Sequence, residues 1–120
     1  MAEGVPDGFL GNLPEWLVYN VLTKLDLDFV FQSSQMGGRL DRGGAVLDFE
    51  IPSLGIGINI NSVYWHYGNP DAVVNDQLQR ESLEGQGLIM IYVDEDDLLR
   101  NAFYYVTEAL KGNDHSRMTR

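Results

Sequence analysis

Two consecutive segments between residues 45 and 61 alternate apolar and polar side chains with a period of two, which constrains the fold more than any other feature of this chain. Successive side chains of a β-strand point to opposite faces, so each segment predicts a strand with one buried face. In segment 56–61, isoleucine occupies one face, and glycine and asparagine occupy the other. In segment 45–51, the two faces are Leu47-Phe49-Ile51 and Val46-Asp48-Glu50. We expect the two polar faces to coincide in one sheet.

A first helix is predicted ahead of these strands. Asn12, followed by Pro14 and Glu15, is typical of a helix start, because its side chain caps free amides and proline suits the first turn. The helix is expected to run to about Lys24. Its apolar residues recur at steps of three and four and predict a buried stripe made of Leu17, Val18, Val21, Leu22 and Leu25.

A strand and a glycine-rich hairpin are predicted between this helix and the alternating segments. Residues 28–32 have the aromatic and β-branched character of a strand. Glycines at positions 37, 38, 43 and 44 then predict the turn-rich loop of a hairpin, which carries Arg39 and Arg42. These two arginines, near Asp48 in sequence, are candidates for phosphate contacts, and a solvated loop is the alternative.

The second half of the chain predicts a helix, a strand and a helix. A half-exposed helix is expected from Asp71 to about Leu83. Residues 88–93 form a continuous apolar run, which is typical of a central strand covered on both faces. The acids at positions 94–97 are expected to be a solvated cap at the start of the last helix. Calcium binding is the alternative, although the glycine turn and the twelve-residue ligand spacing of an EF-hand are missing. The buried face of that helix is predicted to carry Leu99, Ala102, Phe103, Val106 and Leu110.

These elements predict one domain of the α/β (α+β) class, with a small mixed sheet of about four strands flanked by helices. The domain is expected to span residues 12–111, between a flexible lead-in at 1–11 and a polar tail at 112–120 that frays. Eight basic and eighteen acidic side chains give a net charge of −10, which argues against non-specific nucleic-acid binding. Cysteine is absent, which excludes disulfides and thiolate chemistry. No apolar run approaches the ~20 residues of a membrane span, so we expect a soluble protein with no membrane partner.

One stretch of sequence resembles a known enzyme family. Leu47-Asp48-Phe49, followed by an apolar strand that leads into Tyr64-Trp65-His66, resembles the core of the very-short-patch-repair-like (Vsr-like) endonucleases of the PD-(D/E)xK superfamily. The resemblance covers roughly residues 13–110, and Trp65-His66 is its most specific part. It implies a restriction-endonuclease-like fold. In that family, carboxylate oxygens hold a divalent metal, which lowers the pKa of a bound water and shields the charge on a phosphate.

The resemblance also implies roles for individual residues. Asp48 matches the metal-binding aspartate, Glu15 matches the acid on the first helix, and His66 matches the histidine beside the scissile phosphate. Glu50 lies on the same predicted strand face as Asp48 and is a candidate second carboxylate. In common members, a glutamate and then a lysine or another polar residue occupy the positions that are asparagine here, Asn59 and Asn61. A neutral amide adds no negative charge, so Asp48 is expected to hold magnesium weakly.

Three functions follow as hypotheses. The first is a catalytically silent nuclease fold, without a cofactor, that acts as a structural or protein-interaction component of a larger assembly. Small relatives occur in phage genomes, so this assembly is expected to be a phage particle formed in the cytoplasm. The alternative is a cytoplasmic magnesium-dependent DNA endonuclease in which Asp48 binds the metal, Glu15 and Glu50 assist, and His66 steadies the phosphate. The third is a small inhibitor whose acids mimic DNA.

Overall fold

The computed structural model describes residues 4–32, 40–42, 45–61, 78, 84–85 and 87–117. Within these residues the chain has an α+β fold, in which a four-stranded mixed sheet is flanked by two helices. The elements in chain order are α1 (Leu13–Lys24), β1 (Val30–Phe31), β2 (Leu40–Arg42), β3 (Ala45–Leu47), β4 (Phe49–Ile51), a 3-10 turn (Pro52–Leu54), β5 (Ile56–Asn61), β6 (Ile89–Asp94) and α2 (Glu95–Leu110). The predicted fold class is therefore confirmed. The helix predicted from Asp71 lies outside the described residues, except for Leu78, which is helical.

The sheet has the strand order β1-β4-β5-β6, and β2 and β3 form a separate antiparallel hairpin. β4 is antiparallel to β1 and β5, whereas β5 and β6 are parallel. Because of these directions, the start of β4 and the ends of β5 and β6 lie at the same end of the sheet. Asp48, which precedes β4, is therefore brought to the end of the sheet where Asn61 and Asp94 lie. We call this the Asp48 end.

α1 begins where its capping residues predicted. The Asn12 side chain accepts a hydrogen bond from the Glu15 amide at 2.9 Å, and the Glu15 side chain accepts one from the Asn12 amide at 2.9 Å. This reciprocal pair satisfies two amides that a helix start leaves free. Most of the predicted stripe packs against the sheet, but Leu25 is 37 % exposed because it is the C-terminal capping residue, beyond the last helical turn.

The segment 45–51 is not one strand, which corrects the prediction. The strand is interrupted at Asp48, so β3 pairs with β2 while β4 pairs with β1 and β5. Phe49 and Ile51 belong to the main core with the two helices, as predicted. Leu47 instead packs in a second buried cluster on the other side of the sheet, with Leu88, Met90 and Tyr92. A strict period of two holds only while the strand is uninterrupted.

α2 buries part of the predicted stripe, since Val106 is buried and Ala102 and Leu110 pack against the core. Leu99 and Phe103 are 54 % and 60 % exposed, whereas Leu98 and Ala109 are buried together with Val106. α2 follows β6 with no loop, so the strand fixes the orientation of the first helical turn. In that orientation Asp97 and Leu98 are both buried. The helix is also interrupted at Asn101, whose φ of −159° and ψ of 79° are not helical.

The two flanking segments contact the domain. In the lead-in, Val5 is buried, and the Phe9 ring stacks on Phe31 with the ring centroids 5.5 Å apart. In the tail, which was expected to fray, Asp114 Oδ2 accepts a hydrogen bond from the Tyr92 amide at 2.9 Å, and Ser116 is buried. The tail packs on the domain because its polar side chains accept hydrogen bonds from backbone groups of β6.

β6 is the last strand in the order of the described sheet, which corrects the prediction of a central strand. Residues 90–94 are buried on both faces, as predicted, although Ile89 at the start of β6 is exposed, and residues 113–117 lie along the outer edge of the strand. Over the described part of the chain, no helix has the length and apolar character needed to cross a membrane.

Candidate functional site

The polar faces of the two alternating segments coincide, as predicted, because the register between β4 and β5 pairs Glu50 with Gly57. Residues of β6 extend this face. The register between β5 and β6 pairs Asn59 with Tyr92 and Asn61 with Asp94, so these residues share the face opposite the helices. Asn59, Asn61 and Asp94 are all buried. Burial of so many polar groups costs free energy unless each is hydrogen-bonded, and such clusters are typical of functional sites.

The side chains of Asp48 and Asn59 each accept a hydrogen bond from a backbone amide of the neighbouring segment. The Asp48 amide donates to Asn59 Oδ1 at 2.7 Å, and Asp48 Oδ2 accepts from the Ile60 amide at 2.9 Å. Asp48 is 4 % exposed and Asn59 is 3 % exposed, so both bonds are shielded from water. The pair therefore joins the start of β4 to β5 where the regular strand pairing is interrupted.

The two other predicted carboxylates are also buried. Glu15 is held in the capping pair with Asn12, and Glu50 is in register with Gly57, which places it on the same face as Asn59. α1 starts near the Asp48 end, because Phe9 contacts both Trp16, at 5.2 Å between ring centroids, and Phe31, next to which β4 begins. The fold thus brings Asp48 and the start of α1 to one end of the sheet, whereas Glu50, in register with Gly57 near the start of β5, lies towards the other end.

A different set of acids comes closest together. Among the described residues, Asp94, Asp96 and Asp97 form the group of three whose carboxylate oxygens lie within 4.8 Å of one another. Asp48, Glu15 and Glu50 belong to no such group within the described part of the chain. A hard divalent cation favours several carboxylate oxygens at once, so the described carboxylates around Asp48 are a sparse donor set for one.

The acidic run 94–97 was expected to be a solvated cap, and this is wrong. Asp94 and Asp97 are buried, and two arginines contact the run. Arg117 donates from its backbone amide to Asp94 Oδ2 at 3.0 Å and from its guanidinium to Asp96 Oδ2 at 2.7 Å. Arg100 contacts Asp97. Buried acids in close groups need compensating charge, and a tail arginine provides it here.

The contact between Arg117 and Asp96 shifts the pKa of both groups. The hydrogen bond from Arg117 lowers the pKa of Asp96 below its usual value, and Asp96 in turn raises the pKa of Arg117. Sequence reasoning missed Arg117, which it had placed in the polar tail. The sequence carried no clear signal for this contact, because four acids at a helix start need a counter-charge only when some of them are buried, as Asp94 and Asp97 are.

Of the remaining predicted site residues, the structure describes only the backbone of Arg42. Arg42 lies in β2, in register with Ala45, but its side chain is outside the described residues. Arg39 and His66 lie outside the described residues altogether. Their predicted contacts with phosphate therefore stay predictions.

Comparison with known proteins identifies the fold. No protein-family model matches the chain, and a search of curated proteins gives no match. Among solved structures, the chain is similar to the Homing Endonuclease I-Bth0305I Catalytic Domain, with a TM-score of 0.60 and 18 % sequence identity. The similarity covers 85 % of this chain and 90 % of that domain. The chain therefore has a nuclease-like fold, and at this identity the likeness concerns the fold alone.

Proposed function

We propose that this chain is a catalytically silent nuclease-fold module, derived from the Vsr-like branch, that acts through contacts with other proteins. The observation that carries the proposal is the buried pair formed by Asp48 and Asn59. The side-chain oxygen of Asn59 accepts a hydrogen bond from the Asp48 backbone amide at 2.7 Å, and Asn59 occupies a position where the resemblance implies an acid. We propose that the pair serves as a structural tie between β4 and β5.

The charge of the site supports the same proposal. Magnesium in nuclease-like sites is bound through carboxylates together with substrate phosphates, and each amide in place of an acid removes one unit of attraction. Asp48 supplies one charge, and its Oδ2 already accepts the Ile60 amide. The described donors therefore fit magnesium poorly, and we assign no catalytic step to a metal.

The net charge of −10 favours a protein partner over a phosphate backbone. We propose that the module belongs to a larger assembly, and a phage particle is the assembly implied by the Vsr-like resemblance. The test is multi-angle light scattering of the purified chain, together with a pull-down from the host in which it is expressed naturally. A stable assembly supports the proposal, whereas a monomer without partners that cuts DNA in magnesium refutes it.

A second candidate, a magnesium-dependent endonuclease, is favoured by one observation. Asp48 and Glu15 are both buried, and the start of α1 lies near the Asp48 end, as an active site of the Vsr-like type requires. The test is nicking of a supercoiled plasmid in magnesium or manganese by the wild type, by Asp48→Ala and by the exposed-acid control Asp7→Asn. Activity lost only in Asp48→Ala supports this candidate, and equal activity in all three eliminates it.

A further inference from the structure

An open cavity of about 530 Å³ lies between the end of α1 and the start of β1. Its lining combines three aromatic rings, Tyr19, Phe29 and Phe31, with two carboxylates, Asp26 and Asp28. The cavity opens beside the residues that precede β1, whereas Gln32 at the other end of β1 bonds to Asp48 through its backbone. It is therefore separate from the Asp48 pair, and nothing proposed for that pair accounts for it.

The aromatic rings are fixed against one another. Tyr19 meets Phe29 edge to face, with centroids 5.1 Å apart and an interplanar angle of 87°, and meets Phe31 at 5.7 Å and 73°. Phe31 is stacked on the buried Phe49 at 4.7 Å, which anchors this cluster in the core. All three lining rings are half-buried, so each keeps part of its surface towards the cavity. Phe31 is also stacked on Phe9 at 5.5 Å, so its faces are covered by other rings, and the aromatic surface that can attract a cation belongs to Tyr19 and Phe29.

The carboxylates sit where the fold itself disfavours negative charge. α1 ends at Lys24, and the C-terminal end of a helix carries a partial negative charge, which acids close by oppose. Asp26 also has a φ of +58°, the left-handed conformation that glycine adopts at little cost after a helix. Lys24 supplies basic charge in the last turn but is exposed and does not line the cavity. Strained or electrostatically unfavourable residues concentrate at binding sites.

The geometry points to a binding site for the cationic side chain of a partner protein, a lysine or arginine from a basic segment. The alkyl stem packs against the Tyr19, Phe29 and Phe31 rings, and the charged end meets Asp26 and Asp28 and the negative end of α1. A chain with a net charge of −10 attracts such a segment at long range. The site is independent of whether the Asp48 pair is catalytic.

The experiment is a two-dimensional amide NMR titration of the full chain with a hexalysine peptide, and with hexaglutamine as the uncharged probe. Shifts are expected to concentrate at residues 23–31 with hexalysine only. The double variant Asp26→Asn with Asp28→Asn is expected to weaken hexalysine binding by roughly tenfold or more. The matched control, Asp7→Asn with Glu84→Gln, removes two exposed charges elsewhere and is expected to change affinity about twofold at most.

A further variant separates binding from folding. Asp26→Gly relieves the left-handed conformation, so its melting temperature is expected to equal or exceed that of the wild type while hexalysine affinity falls. Three results would overturn the proposal: shifts spread evenly over the acidic surface, an equal loss of affinity in the matched control, or concentration-dependent shifts at 23–31 without peptide, which would show that a second copy occupies the cavity.

Discussion

Replacing Asn59 by aspartate tests whether the buried pair at the Asp48 end tolerates a second charge. The new carboxylate keeps the acceptor for the Asp48 amide, which lies 2.7 Å from Asn59 Oδ1, so the shape and this hydrogen bond are preserved. Two carboxylates roughly 5 Å apart repel by about 3 kcal/mol at an effective dielectric constant of about 20. For a domain of this size, that lowers the melting temperature by about 10 °C at neutral pH.

The pH dependence gives the sign of the effect. Repulsion and burial raise the pKa of the introduced carboxyl in the folded state above its unfolded value of about 3.9. Below that value the group is protonated in both states and the penalty is absent, and it grows as the pH rises through and above it. Thermal unfolding followed by circular dichroism at several pH values measures this difference.

Two comparisons complete this test. Asn20→Asp makes the same amide-to-acid change on the half-exposed surface of α1 and is expected to change stability by about 0.5 kcal/mol or less. Magnesium is expected to raise the melting temperature of Asn59→Asp, which has two adjacent carboxylates, but not that of the wild type. If Asn59→Asp is as stable as the wild type at neutral pH, the argument about buried charge at this pair is refuted.

Two further predictions concern the packing around the sheet. A Cβ at Gly57 would lie 2.7 Å from Leu47 Cδ2, so Gly57→Ala is expected to destabilise the fold by about 1 to 3 kcal/mol in urea unfolding. The control is Gly85→Ala, which should be neutral because a Cβ there meets nothing within 4 Å. Equal effects of the two substitutions would contradict the packing around Gly57. Arg117→Gln is expected to speed hydrogen exchange of the Tyr92 amide, because the tail loses its contact with Asp96. Since Arg117 lowers the pKa of Asp96, its stabilisation is complete above the unfolded value near 3.8 and is lost as the pH falls through the lower folded value. The stability difference between wild type and Arg117→Gln should therefore shrink in acid, and a difference that grows in acid would contradict the assignment.

The features that sequence predicted well are those that local chemistry determines. The capping pair of Asn12 and Glu15 set the start of α1, and the alternation of isoleucine with asparagine set β5 at Ile56–Asn61. Both follow from contacts within a few residues or from one regular period. The α+β class and the shared polar face followed from them.

The features that sequence did not predict depend on contacts distant along the chain. The break at Asp48 is stabilised by Asn59 and Ile60, and Leu47 changes face because of it. Arg117 meets Asp94 only because the tail runs along β6. Periodicity carries no information about such contacts, so the second core cluster and the counter-charge of the acidic run could not be derived from it.

The roles implied by the resemblance stay predictions, and the structure shows only where some of these residues lie. Asp48 and the start of α1 lie at one end of the sheet, and Glu50 is in register with Gly57, nearer the other end. Among the residues that the structure describes, the acids that form a close group are Asp94, Asp96 and Asp97, next to the tail arginine. The resemblance therefore did not indicate which of the described carboxylates lie close together.

The most direct test of the account is a calorimetric titration of the full chain with manganese, compared with Asp48→Asn. The variant keeps an oxygen that accepts the Ile60 amide, so it is expected to fold, and it removes only the charge at the pair. The account predicts that the two titrations are the same, with no binding that depends on Asp48. A one-to-one binding heat in the wild type that disappears in Asp48→Asn would contradict it.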